Sequence, residues 1–348
     1  MTNLFEQTLG LLTPELSIDF GHDRLRISTQ DMTNSVNEAS LLILQPTGKT
    51  ARLYASGNPA RSMQGRTGTQ FQVERPLYNN QLNDNTHTQT FLTTNIRRAL
   101  GGRSVFQPRT VVAVPHTMPP TQRSLYQKFL TPTCGKEIYF VPSLLCGAMG
   151  IGFNYETPKA QMIIDIGQSS TRIGLISLSS VIAYKESPIG GQYLDRLIVR
   201  YFLQRYGIHI DALTAEDIKI ASGNALFPDL DAENFCIGRE SDGQGTKRVA
   251  FLQSDVFHLI EPALFELVEM IKVLCSSVHL NAFTDMMDAE IVLIGGGSQL
   301  ANLSPFITKH TRFQTRVADF PRESVLLGAQ KFHRDQNLLA WASIKTSK

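Results

Sequence analysis

Short apolar runs alternate along this chain with stretches whose apolar residues fall at helical spacing, the pattern of strands interleaved with amphipathic helices. "LSIDFG" and "LRIST" predict a hairpin around Gly21, and further strand-like runs follow at "SLLIL", "ARLYAS", "TVVAVP" and "IYFVP". Between them "TQTFLTTNIRRAL" carries a helical pattern. The second half restarts with the hairpin "MIIDIG"/"TRIGLISL" and continues through "SSVIAYKES", the helix "GQYLDRLIVRYFLQRYG" and a mixed segment to about Lys247. The helix "SDVFHLIEPALFELVEMIKVLCSSV" and the strand "AEIVLIGGG" follow. This order predicts an α/β protein.

The two hairpins share one frame. Ile18-Asp19, an apolar residue, Gly21, four residues and Arg26-Ile27 are matched by Ile164-Asp165, an apolar residue, Gly167, four residues and Arg172-Ile173. An internal duplication explains the match, and it predicts two like domains facing each other across a cleft. Pro and Gly punctuate the hand-over near "FNYETPKAQ", residues 153–161. Chemically, an Asp at the end of a buried strand followed by Gly has two uses. The glycine lets backbone N–H groups approach an anion, and the carboxylate can hold a hydrated divalent cation beside it. For one hairpin alone, a simple turn with a solvated Asp is the better description; repetition at a domain-length interval favours the phosphate-gripping one. A third cluster, "VLIGGGSQL", places Gly295, Gly296 and Gly297 between an apolar strand and a polar helix start, where a ring or phosphate can lie against bare backbone.

These residues resemble the actin, hexokinase and heat-shock-chaperone ATPase superfamily and, within it, the MreB family of bacterial actins, from about Leu16 to Lys331. "LSIDFG" looks like the first phosphate loop, "DIGQSSTRIGLIS" like the second, and "VLIGGGSQLANL" like the adenosine motif. "ESPIGGQYLDRLIVRYFLQRYG" and "TAEDIKIASGNA" resemble the entry to the upper second subdomain and its nucleotide-contacting helix. The less generic "NEASLLIL", "GRTGTQFQVERPLYNNQLND" and "TRVADFPRESVLLGAQKF" follow in the family's order and spacing. The resemblance implies an α/β, actin-like ATPase fold, with two duplicated ribonuclease-H-like domains and inserted subdomains around a nucleotide cleft. It divides the chain into an N-terminal amphipathic segment (1–13), subdomain IA (14–32, 71–156 and 320–336), IB (33–70), IIA (157–190 and 255–319), IIB (191–254) and a tail (337–348).

It also implies ATP and Mg2+ as ligands. Asp19 and Asp165 would hold the metal through water, and Gly21, Gly167, Ser169, Ser170 and Thr171 would surround the phosphates. Gly190 and Gly191 would line the cleft, Glu216 and Lys219 would approach ribose or base, and Gly295, Gly296 and Gly297 would receive the adenosine. Several positions depart from the family pattern. The first loop reads His22, Asp23, Arg24, Leu25 in place of small hydroxyl and amide residues, and Asp23 would repel phosphate unless His22 or Arg24 compensates. Gln168 and Gln192 replace a glycine and an aspartate. Ser143 stands where the family has the glutamate that positions the attacking water. Loss of a general base typically costs ~10²–10⁴ in rate, so the chain is expected to be at most a weak ATPase.

The opening "MTNLFEQTLGLL" sets Leu4, Phe5, Leu9 and Leu12 near one face of a helix, resembling the membrane helix of some family members. It carries Glu6 and no Lys or Arg, so packing on the protein's own body is the competing reading. Val105 and Phe106, flanked by Arg97, Arg98, Arg103 and Arg109, form a second candidate membrane contact beside the alternative of a solvated basic loop. Trp341, the sole tryptophan, lies on the apolar part of "NLLAWASIKTSK", which would cap the first domain or bind a partner.

Composition narrows the field. A length of 348 residues with 42% hydrophobic and 18% charged residues suits a globular protein of about two domains. A net charge of +2 without a basic run argues against a nucleic-acid protein. Cys134, Cys146, Cys236 and Cys275 show no metal spacing and read as buried thiols in a reducing compartment. The histidines lack ligand partners, and Ser124 and Ser143 lack the partners of a hydrolase nucleophile. With no signal-peptide pattern, the expected location is the cytoplasm, peripheral to the inner face of the cytoplasmic membrane. The expected partners are other copies in a longitudinal filament or another bacterial actin, inner-membrane lipid, and envelope or cell-wall synthesis proteins. The alternative is a nonpolymerising actin-fold adaptor or regulator of an envelope or filament complex.

Overall fold

A computed structural model describes residues 13–30, 35–48, 50–66, 68, 70–78, 80–102, 106–228, 232–243 and 245–343. The chain divides into two compact units, residues 1–156 with 323–348, and residues 157–322. The first contains strands β1 (Glu15–Phe20), β2 (Arg24–Thr29), β3 (Val36–Ala39), β4 (Leu42–Thr47) and β5 (Thr50–Ser56), then helix α1 (Asn58–Met63). Strands β6 (Gln72–Glu74), β7 (Leu77–Tyr78) and β8 (Gln81–Leu82) lead to α2 (Thr86–Ala99), β9 (Arg109–Val114), α3 (Pro120–Cys134), β10 (Ile138–Pro142) and α4 (Ser143–Gly150). The second unit runs through β11 (Gln161–Ile166), β12 (Thr171–Ser177), β13 (Ser180–Ser187), α5 (Gly191–Tyr206), β14 (Ile208–His209), α6 (Ala212–Ser222), β15 (Glu233–Glu240) and β16 (Thr246–Leu252). It closes with α7 (Gln253–Ser276), α8 (Leu280–Asp288), β17 (Ile291–Ile294), α9 (Leu303–Thr311) and β18 (Thr315–Val317). Helices α10 (Ser324–Phe332) and α11 (Gln336–Ala342) return the chain to the first unit.

In the first unit the main sheet has the order β10-β9-β1-β2-β3. β1 pairs antiparallel with β2 but parallel with β9, which is parallel to β10. Both faces of such a sheet are covered, so its central strands read as near-continuous apolar runs. Leu16, Ile18 and Phe20 of β1 join Phe91, Leu92 and Ile96 of α2 and Phe129 and Leu130 of α3 in one core. On the opposite face lie α4 and α10, which meet backbone to backbone because two glycines sit at the crossing. A Cβ on Gly328 would overlap the Cys146 carbonyl, and one on Gly150 would overlap that of Ser324. Helix α2 begins where Asn85 Oδ1 accepts the Thr88 N–H at 2.8 Å, satisfying one of the orphan donors of a helix start.

The second unit repeats the plan with the sheet order β13-β12-β11-β17-β18, β11 again antiparallel to its hairpin partner and parallel to β17. Its core gathers Met162, Ile164, Ile173 and Leu175 with Ile198 and Phe202 of α5 and Ile260, Leu264 and Ile271 of α7. The segment 208–252, where the sequence shows only a mixed pattern, folds as α6 and the small sheet β14-β15-β16. Asp211 caps α6, its Oδ1 accepting the Thr214 N–H at 2.7 Å. Among the described residues, no helix is long and apolar enough to cross a membrane.

His333, just past α10, is 4% exposed, with its Nε2 3.2 Å from Ser17 Oγ of β1. Burial pushes its pKa down from 6.5 to about 4, against the opposing charge of Glu15. The unfolded chain therefore takes up a proton between those values that the folded chain refuses, so stability is full above pH 6.5 and falls as the pH drops toward 4. The expected loss over that window is roughly 3 kcal/mol. Thermal melts at pH 7 and pH 4.5 should show the decline in the parent protein and a flatter profile in His333→Gln.

Candidate functional site

Each repeated hairpin closes through its glycine. Gly21 N–H donates to Arg24 O at 2.8 Å, and Gly167 N–H donates to Ser170 O at 3.0 Å. The register then sets Asp19 opposite Arg26 and Asp165 opposite Arg172, on one face of each sheet. Arg26 Nη1 lies 3.4 Å from Asp19 Oδ2, and Arg172 Nη1 lies 3.3 Å from Asp165 Oδ2. The duplication thus extends beyond backbone to a charge pair with the same atoms at nearly the same distance. In the second unit the row continues to β13, where Arg172 Nε is 3.2 Å from Glu186 Oε1 and Tyr184 Oη donates to Glu186 Oε2 at 2.8 Å. Burial alone would raise the Glu186 pKa, but the Arg172 charge and the Tyr184 hydroxyl outweigh it and hold the carboxyl below its usual range.

Around Asp165 the second unit brings most of its predicted residues together. β17 runs parallel to β11 with Ile294 beside Asp165, so the glycine cluster begins at the same sheet edge. Gly295 has φ +83°, and a Cβ there would come 2.6 Å from Asp165 Oδ1; one on Gly297 would collide with Ile166. Gly191 N–H donates to Gly167 O at 3.0 Å, and Gln192 N–H to Gln168 O at 2.8 Å, tying the start of α5 to the second loop. A Cβ on Gly190 would lie 2.7 Å from Gln168 O. Gly296 is exposed, and a Cβ on it would meet only Arg322 Nε, at 3.9 Å. Ser169 and Ser170 form the turn itself, while Thr171 Oγ1 donates to Ile189 O at 2.6 Å, bracing the same junction.

Lys219 reaches this cluster already engaged. Its Nζ is 2.6 Å from Asp195 Oδ1 and donates to Gly191 O at 3.2 Å, and Gln168 Nε2 donates to Asp195 Oδ2 at 3.1 Å. Burial pushes the Asp195 pKa up, with Glu216 adding to it against the Lys219 charge. Glu216 therefore lies near this group, one turn ahead of Lys219 on α6. The Gln168 substitution is accommodated by this network, which the sequence did not reveal.

In the first unit, β1, β9 and β10 align Asp19, Ala113 and Val141 in one row, so Ser143, two residues on, starts α4 at the same edge. Its hydroxyl is buried without a hydrogen-bond partner among the described residues. Burial, with the Asp19 charge adding to it, pushes the thiol pKa of Cys146 well up, which places α4 within reach of that carboxylate. The departures around Gly21 turn out to be a latch. Asp23 Oδ1 is 2.8 Å from Arg61 Nη1, Arg24 Nη1 donates to Asn58 Oδ1 at 2.9 Å, Arg75 Nη1 donates to His22 O at 3.1 Å, and Ser40 Oγ donates to Gly21 O at 2.8 Å. Asp23 is thus compensated chiefly by Arg61, a residue distant in sequence, with Arg24 Nε farther away at 3.8 Å.

Beside Asp165, Gly295 and Gly297 pack closely on Ile166 and on the Asp165 carboxylate, while Gly296 is exposed with room beside it. A hydrated divalent cation at these aspartates would have to compete with the guanidinium already on each Oδ2. Of the expected membrane contacts, Leu4, Phe5, Leu9, Leu12 and Val105 lie outside the described residues, and Phe106 is 38% exposed.

Two sheets of matching topology, each with an Asp–Gly hairpin at its parallel core strand, define an actin-like ATPase fold. The chain belongs to the MreB/Mbl family, whose model, described as MreB/Mbl protein, matches residues 13–340. The cell shape-determining protein MreB of Pasteurella multocida is 26% identical over 330 residues, covering 93% of this chain and 94% of that protein. MreB5 of Spiroplasma citri bound to AMPPNP superimposes with a TM-score of 0.87 at 22% identity, over 93% of this chain and 97% of the other. A MamK double helical filament gives 0.76 at 16% identity, over 93% and 99%.

Truncating Lys219 would strand the buried Asp195 carboxylate. Lys219→Met is expected to destabilise the second unit by roughly 3–5 kcal/mol. Adding Asp195→Asn should recover most of that loss in urea unfolding, because the uncompensated charge is gone.

Proposed function

We propose that this protein is an MreB-type bacterial cytoskeletal protein that binds ATP and forms membrane-associated filaments organising cell shape and cell-wall synthesis, with hydrolysis weak or lost. The observation that carries the nucleotide reading is the close main-chain packing of Gly167, Gly190, Gly191, Gly295 and Gly297 where the second loop, the start of α5 and the end of β17 meet, with little or no room for side chains on these positions. Such backbone supports close approach of phosphate and ribose. Gly21 of the first hairpin is the corresponding candidate phosphate contact, and Ser169 and Ser170 would supply hydroxyls. Glu216 and Lys219 would flank the sugar, with Lys219 held in place by Asp195.

The family membership supports the rest. A relative is named for determining cell shape, a structural neighbour carries AMPPNP, and another is a double helical filament. Slow turnover follows from Ser143, whose hydroxyl cannot act as a carboxylate base at neutral pH. The setting is the inner face of the cytoplasmic membrane, with Leu4, Phe5, Leu9, Leu12, Val105 and Phe106 as the lipid contacts. Partners are other copies of the chain or another bacterial actin, and envelope or cell-wall synthesis proteins.

Titration with a fluorescent ATP analogue tests the nucleotide site. Gly296→Glu is the informative variant because the exposed glycine has room for a side chain. It should leave the melting temperature of the unliganded protein unchanged while weakening ATP binding at least tenfold. Equal affinity in the two proteins would overturn the assignment. Sedimentation with ATP, alongside phosphate release, should show pelleted filaments and little turnover; a wholly soluble protein at high concentration would favour the adaptor role instead.

A further inference from the structure

Arg26 and Arg172 are the part of the repeated frame to which nucleotide binding by bare backbone gives no task. Both stand directly opposite the strand-end aspartate, both place Nη1 on its Oδ2, and both pairs are largely withdrawn from solvent, with side-chain exposures of 16% and 16% in the first and 14% and 10% in the second. Chance placement explains one such pair; the same residues and atoms at nearly the same distance in each half of the molecule call for a shared cause.

A divalent cation beside a phosphate cluster serves to neutralise charge where carboxylate and phosphate oxygens approach one another. Here a fixed cation already occupies that electrostatic position in each unit. Bringing a second, doubly charged cation to the same carboxylate oxygen would set like charges side by side, an unfavourable arrangement in a partly buried site. Arg172 is further locked by Glu186 on β13, so it serves two carboxylates from one guanidinium, Nη1 on Asp165 and Nε on Glu186. Arg26 has capacity to spare: its buried Nε donates to no acceptor among the described residues. An arginine with an unfilled donor is suited to an anionic oxygen, since the guanidinium fork matches phosphate geometry.

We propose that Arg26 and Arg172 replace the divalent cation at the two hairpins, so that this protein binds nucleoside triphosphate without magnesium. The proposal rests on the nucleotide-binding reading above and deepens it by fixing the ionic form of the ligand.

The test compares the affinity of the full chain for a fluorescent ATP analogue in excess Mg2+ and in EDTA. Dissociation constants within about threefold of each other are expected. Binding that is strong in Mg2+ and at least tenfold weaker in EDTA would overturn the replacement and leave the nucleotide site intact, whereas binding in neither condition would overturn both. Arg172→Gln and Arg26→Gln supply the second arm, with melting curves to confirm folding. Each should lose at least tenfold in EDTA, regain part of it with Mg2+, and be rescued by the corresponding lysine variant. Unchanged EDTA affinity in both glutamine variants would show that the arginines serve packing alone. If neither variant folds, the comparison on the parent protein still decides.

Discussion

The pairing of an aspartate at the end of a buried strand with an arginine directly across the hairpin is the constraint around which both halves of this molecule are organised. A carboxylate at that position is partly withdrawn from water, and it needs a counter-charge or hydrogen bonds to remain ionised without penalty. The antiparallel register supplies one in each unit, with Arg26 facing Asp19 and Arg172 facing Asp165. Everything else at the sheet edges is arranged around these pairs. The glycine turns close immediately beyond them, Gly295 approaches so near to Asp165 that a side chain would strike its oxygen, and Glu186 secures Arg172 from the next strand.

Close backbone approach is the second theme, and it recurs where function and packing both demand it. Gly190 lies against the carbonyl of Gln168, while Gly328 and Gly150 let α4 and α10 cross without side chains between them. The hydroxyl and amide groups nearby brace this main chain: Thr171 holds Ile189, and Gln168 holds the Asp195 that in turn anchors Lys219. The charges of the first loop do comparable work, since Asp23, Arg24 and the His22 carbonyl bind Arg61, Asn58 and Arg75 of the segment that follows. A loop whose side chains hold its own domain is left with backbone donors and Arg26 as its candidates for contact with an anion.

Much of this was legible in the sequence because periodicity and punctuation are local. The two hairpins, the helical runs that became α2, α5 and α7, and the strand before the glycine cluster all follow from apolar spacing. Helix α3 was missed although Tyr126, Phe129, Leu130 and Cys134 lie at helical intervals, because Pro132 and a run of polar residues mask the pattern. The partnerships were harder to see. Arg61 is 38 residues from Asp23, and Lys219 is 24 from Asp195, so nothing short of the folded chain shows that they meet. Arg26 and Arg172 were in plain view within the repeated frame, yet their meaning came only from the register that sets each against its aspartate.

A double-mutant cycle on Asp19→Asn and Arg26→Gln, read by urea unfolding, probes that pairing most directly, since among the described residues Arg26 forms no second ion pair like that of Arg172 with Glu186. An interdependent pair predicts single-mutant losses that fail to add, with a coupling of roughly 1–3 kcal/mol. Additive losses, within about 0.5 kcal/mol, would show that the arginine does not compensate the aspartate and would contradict the electrostatic basis assigned to both hairpins.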